Sequence, residues 1–134
     1  MIVRTGVDLL ETNRFEGISP GIRRRFLQRV YTERELAQAQ DNDETLIALF
    51  SSKEAVSKAL GTGIGPVAWR EIEILHQPSG MPEVHLHGRA REIAGELGLC
   101  HWSLSISHSR SHVVAFVIAL GSEPEAPAGG QAGV

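Results

Sequence analysis

Apolar residues alternate with polar ones near both ends of the chain and recur at helical spacing in the middle. Residues 2–9 read as a strand, with Val3, Val7 and Leu9 on one parity and Arg4, Gly6 and Asp8 on the other. Gly6 permits another group to approach the backbone just before Asp8. Residues 11–40 read as short helices broken by Gly17, Ser19, Pro20 and Gly21. Thr32 followed by Glu35 is a capping-box pattern for one of them. Residues 43–60 carry the clearest helical pattern: Asp41 or Asp43 caps its start, Gly61 stops it, and Leu46, Leu49, Phe50, Val56 and Leu60 share one face. Lys53 falls near the centre of that face, while Ile47, Glu54 and Lys58 form an adjacent stripe, with Glu54 and Lys58 placed as an i, i+4 pair.

Beyond Gly61 the pattern becomes β-rich. Gly61, Gly63 and Gly65 mark a loop. Residues 70–76 and 83–87 alternate as strands about a Pro78-Ser79-Gly80 turn, and residues 89–98 read as a helix ending at Gly98. Residues 101–108 alternate as a strand. Residues 113–120 are continuously apolar, as in a buried strand, and the short link 109–112 makes the two an antiparallel hairpin. The expected class is α+β: an antiparallel-rich sheet packed with one long helix and several short ones. Residues 1–120 form one domain, and 121–134, rich in Gly, Ala and Pro, form a flexible tail.

Composition narrows the classes. A chain of 134 residues fits one small core, so a second subunit is well placed to complete a site. No apolar run approaches a membrane span, the N-terminus lacks a signal-peptide core, and Cys100 is alone; these features predict a soluble cytoplasmic protein without membrane attachment. A net charge of −3 and a single tyrosine argue against nucleic acid as partner. The cations are nonetheless uneven. Arg14, Arg23, Arg24, Arg25, Arg29 and Arg34 crowd the N-terminal third, as a solvated face or as a docking patch for an acidic partner. Of the 13 cationic residues only Lys53 and Lys58 are lysines, and they flank Glu54.

Several of these residues suit chemistry. Asp8 ends an apolar strand, as an exposed strand end, a helix cap or a metal ligand. Lys53 sits where an apolar residue is expected, so its ammonium needs a partner, which a polyanionic ligand would supply. The glycines at 61–65 exceed what a helix stop requires and allow close approach of a ligand, although the phosphate-binding pattern G-x-x-x-x-G-K-[ST] is absent. His85 and His87 share a strand face in a spacing open to zinc but lack further ligands. The serines around His108 lack the G-x-S-x-G elbow of a hydrolase.

Three blocks, taken in order, resemble the holo-acyl-carrier-protein synthases, the short branch of the 4′-phosphopantetheinyl transferase family. They are Gly6-Val7-Asp8-Leu9 with Arg14 six residues after the aspartate, Phe50-Ser51-Ser52-Lys53-Glu54-Ala55-Val56-Ser57-Lys58-Ala59-Leu60-Gly61-Thr62-Gly63, and Ser105-Ile106-Ser107-His108-Ser109. The second is long and specific. The resemblance implies an enzyme that moves the phosphopantetheine arm of coenzyme A onto a serine of an acyl carrier protein. It implies Asp8 and Glu54 as ligands of Mg²⁺, with Mn²⁺ as the alternative ion. Glu54 and Lys58 are then catalytic. Lys53, Lys58, Gly61, Gly63, Gly65, Ser107 and His108 face the coenzyme, and Arg14, Arg23, Arg24 and Arg25 receive the carrier protein. It further implies a homotrimer with sites between subunits. A homologue that docks carrier proteins without catalysis is the alternative. The family's arginine before the phenylalanine is Leu49 here. Its basic residues ahead of the helix are replaced by Asp41, Asn42, Asp43 and Glu44, which leaves Arg70 and Arg110 to compensate at the coenzyme's phosphates.

Overall fold

The structure, a computed structural model, describes residues 1–123. The Thr32–Glu35 cap acts as read, and Ser19 and Pro20, read as a break between helices, turn out to start one. Pro20 opens helix α1 (Pro20–Val30) behind Ser19, whose side chain accepts from the amide of Ile22. Thr32 and Glu35 close a reciprocal capping box on helix α2 (Glu33–Ala39). The long helix α3 spans Asp43–Leu60, as its pattern predicts, but its cap is Asn42, whose Oδ1 accepts from Thr45 N at 2.9 Å. Neither Asp41 nor Asp43 takes that role: Asp41 lies outside the helix in the left-handed region and Asp43 is already its first residue. Gly61 ends α3 at φ 80°, where a side chain is disfavoured.

Three strands form one antiparallel sheet in the order β1 (Ile2–Glu11), β5 (His112–Gly121), β4 (Leu99–His108). A separate hairpin pairs β2 (Ile72–His76) with β3 (Pro82–Leu86), and the short helix α4 (Gly88–Glu96) leads from it into β4. The expected strand 70–76 starts late, because residues 69–71 form one tight helical turn in which Glu71 accepts from the amide of Ala68. Gly121, expected to open the tail, instead pairs with Ile2 at the end of β5, and the tail's positions beyond 123 lie outside the described residues.

Helix α3 lies across β1 and β5. Leu46, Leu49, Phe50, Val56 and Leu60 are buried beneath it with Val113, Ala115, Val117 and Ala119 of β5. Gly6 sets how closely α3 and β1 meet. A Cβ at position 6 would lie 1.8 Å from the carbonyl oxygen of Ala55, so only glycine fits. Strand β5, expected to be buried throughout, is buried on one face only. Its other residues, with Val3, Val7 and Leu9 of β1, point away from α3 and leave an apolar outer face.

Candidate active site

The close approach at Gly6 carries Asp8, two residues on and on the same parity, against one stripe of α3. Ser51 Oγ lies 3.0 Å from both the backbone oxygen and Oδ2 of Asp8. Lys58, two turns further along the helix, donates to the carbonyl of Val7 at 2.9 Å and reaches Asp8 Oδ1 at 3.3 Å. The sequence spacing suggests a Glu54–Lys58 pair, but Lys58 turns to the strand instead, where a carbonyl and a carboxylate together offer more than one exposed carboxylate.

Glu54 lies between Ser51 and Lys58 on the stripe. Its carboxyl is held above the usual carboxylate range, first by partial burial and then by the negative charge of Asp8, with Lys58 and Arg14 opposing. Two carboxylates thus face a common space and repel each other there. The set suits a hard divalent cation: Mg²⁺ favours oxygen and commonly takes one or two carboxylates, leaving the remaining positions to water and substrate phosphates. Among the described residues no group of three or more His, Cys, Asp or Glu side chains could hold a metal by itself. Arg14 also joins this neighbourhood. Its guanidinium stands 5.2 Å from the ring centroid of Phe50, and its charge acts on Glu54.

Other expected site residues are placed differently. Lys53 does not reach a ligand. It is fully buried, and its ammonium pairs with Glu35 at 2.7 Å and donates to the carbonyls of Trp69 and Ile72. Glu35 in turn accepts from the amides of Thr32 and Ile74. The lone ammonium on the apolar face therefore has an internal partner, 18 residues earlier in the chain. Arg23 is likewise engaged, with Asp41 at 3.0 Å, Asp43 at 2.7 Å and the ring of Phe15 beneath it, whereas Arg14, Arg24 and Arg25 remain exposed. In the 61–65 loop the amides of Gly61, Thr62, Gly63 and Gly65 bond to backbone carbonyls of the helix end and loop. The glycines here serve the turn, and Gly63 and Gly65 leave open space beside it. His85 and His87 each sit against a carboxylate, Glu83 and Glu73 respectively.

His108 and Ser107 take opposite parities on β4, although both line one small hollow. His108 Nδ1 lies 2.7 Å from Glu44 Oε1, in the first turn of α3. This pair stands between two cavities of about 470 and 460 Å³ and helps line both. Ser107, of opposite parity, lines a smaller hollow on the outer face beside Leu9 and Val114. None of these three cavities includes Asp8, Glu54 or Lys58, and the Lys58 side chain of the carboxylate site is half exposed. Sequence reasoning missed Ser51, although its place three residues before Glu54 on the same stripe was a usable signal. It also missed Glu44, whose link to His108 joins positions 64 residues apart with no local signature.

Comparison with known proteins identifies the family. Residues 4–117 match the sequence model of the 4′-phosphopantetheinyl transferase superfamily. A holo-[acyl-carrier-protein] synthase of Herpetosiphon aurantiacus is 43% identical over 124 residues, covering 87% of this chain and 98% of that protein. One of Caldanaerobacter subterraneus is 41% identical and covers 92% and 98%. Among solved structures, the Helicobacter pylori holo-[acyl-carrier-protein] synthase in complex with coenzyme A superposes with a TM-score of 0.78 at 28% identity, over 87% of this chain and 99% of that one. The Bacillus anthracis synthase gives 0.72 at 34% identity, over 91% and 99%. With Gly6 and Asp8 packed on the Glu54–Lys58 helix turn and relatives spanning nearly its whole described length, the chain belongs to the 4′-phosphopantetheinyl transferase superfamily.

Proposed function

We propose that this chain transfers 4′-phosphopantetheine from coenzyme A to a serine hydroxyl of an apo-acyl carrier protein, releasing adenosine 3′,5′-bisphosphate. The observation that carries the reading is the meeting of Asp8 and Glu54, with Lys58 between strand and helix. Relatives named for this activity and a relative bound to coenzyme A support it. Asp8 and Glu54 would hold Mg²⁺, or Mn²⁺ in its place, and the bound ion would neutralise both carboxylates and polarise the pyrophosphate. Ser51 and Lys58 hold Asp8 in place. The Lys58 ammonium, half exposed, is free to turn from Val7 toward the charge that grows on the leaving bridge oxygen. The serine proton passes to Glu54 directly or to a water held at the site. The serine oxygen attacks the β-phosphorus, and the bond to the adenosine-side oxygen breaks.

Arg14, which acts on Glu54, and the exposed Arg24 and Arg25 suit the acidic surface of a carrier protein. We place the homotrimer contact on the outer sheet face, where Val7 is 52% and Leu9 62% exposed beside Phe116 and Leu120. Neighbouring copies there would wall the carboxylate site. Among the described residues no helix is long and apolar enough to cross a membrane, and with its single free cysteine the chain suits a reducing cytoplasm.

Mass spectrometry of an apo-carrier protein incubated with this protein, coenzyme A and Mg²⁺ tests the reading. A gain of one phosphopantetheine is expected. Carrier binding without a mass gain would establish the non-catalytic docking alternative.

A further inference from the structure

The cavity beside the start of α3 is poorly furnished for a phosphate. Its lining contains neither lysine nor arginine; Glu44, His76 and His108 are its ionisable side chains. His108 already faces Glu44 at 2.7 Å, so an anion arriving at that ring nitrogen meets a carboxylate in place. A helix start normally attracts anions through its free amides and dipole. Here the first turn carries Asp43 and Glu44, and the amide of Thr45 is taken by Asn42. Arg23, the nearby cation, is bound by Asp41 and Asp43. Leu49 lies wholly in the core and adds nothing to this wall. Arg110 lines the second cavity, beyond the Glu44–His108 pair, and a hollow beside Glu11 and Asn13, but not this one.

Glu44 precedes Glu54 by ten residues on α3, about 15 Å along the axis at 1.5 Å per residue. A coenzyme anchored by its pyrophosphate at Asp8, Glu54 and Lys58 spans that distance with its adenosine end, because its other end must leave with the carrier protein. We propose that this cavity seats the adenosine without gripping the 3′-phosphate, so that the enzyme uses 3′-dephospho-coenzyme A almost as well as coenzyme A. The proposal rests on the transferase reading above. The step is the same in either case. The serine oxygen bonds to the pantetheine-side phosphorus, the bond to the adenosine-side oxygen breaks and that oxygen leaves with the nucleotide, and the serine proton passes to Glu54 or to a water held at the site. The nucleotide released from the dephospho form is adenosine 5′-monophosphate.

The test compares kcat/KM for the two donors with one apo-carrier protein. A single exposed charge contact is worth up to about 5-fold in affinity, so the two values are expected within about 5-fold of each other. A preference for coenzyme A above about 10-fold overturns the proposal and points to a cation supplied by a neighbouring copy. Transfer from neither donor overturns the transferase reading and this inference with it. Glu44 is half exposed, so Glu44→Gln is expected to fold as the parent does, as a thermal melt would show. The variant is expected to shift preference toward coenzyme A by about 2- to 5-fold, through a lower KM for that donor alone. An unchanged ratio removes Glu44 as the determinant.

Discussion

At the scale of single residues, Glu54 is in tension between folding and function. Burial and the charge of Asp8 hold its carboxyl above the usual range, so the proton favours the folded chain. The stability linked to that proton is complete below the unfolded carboxylate range and is lost as pH rises through the folded value. The metal-free protein should therefore lose stability on leaving the acid range, and Mg²⁺ should restore part of it. Glu54→Gln removes the repelling charge. It is expected to melt at a higher temperature than the parent in chelator at neutral pH, with the gap closing in acid or with Mg²⁺, while transfer falls by about 10²-fold or more. Paired melts with and without the ion, alongside the transfer assay, check both halves. Asp8, Glu54 and Lys58 were legible because each lies in a short motif whose strand or helix phase is read locally. Lys53 was legible as an anomaly but not as an answer: its partner Glu35 sits on another helix, and no local pattern announces a buried tertiary pair.

At the scale of elements, the site depends on how α3 is pressed and turned against its neighbours. Gly6 sets the pressing. Gly6→Ala drives a methyl into the carbonyl of Ala55 and must lift β1 from the helix. An overpacking cost of about 1–3 kcal/mol is expected, with transfer reduced more than stability because Asp8 moves with the strand. Urea unfolding and the transfer assay measure the two effects. The Lys53–Glu35 pair sets the turning: it ties the inner face of α3 to α2 and to the backbone of β2, leaving Glu54 and Lys58 on the side of β1. Lys53→Met leaves Glu35 buried without its cation and is expected to cost about 3–5 kcal/mol in urea unfolding. The limits of α3 were readable because cap and stop lie in adjacent sequence. The limits of β1, β4 and β5 were underestimated, because pairing with a neighbouring strand carries each ladder past the residues whose alternation is visible.

At the scale of the whole molecule, the outer face of the three-stranded sheet is the feature that a single chain leaves unresolved. Val3, Val7 and Leu9 stand opposite Leu120, Phe116 and Val114 across the β1–β5 ladder, so the apolar side chains form one continuous strip. The alternation of β1 shows that strip in the sequence, but periodicity does not say which parity a helix will cover. Gly6 decides it, since α3 can press only where a Cβ is missing. Water on such a strip is unfavourable, and further copies of the chain would cover it while walling the Asp8–Glu54 site. Leu9→Glu places a charge in the strip, opposite Val114, without touching the core beneath α3. Light scattering is expected to show the parent as a trimer and the variant as a monomer, and the variant's transfer rate is expected to fall even with saturating coenzyme and carrier protein. If Leu9→Glu keeps both the mass and the rate of the parent, the strip is not the contact and the walls of the site lie elsewhere. If it becomes monomeric yet transfers at the parental rate, one chain alone holds everything the reaction needs.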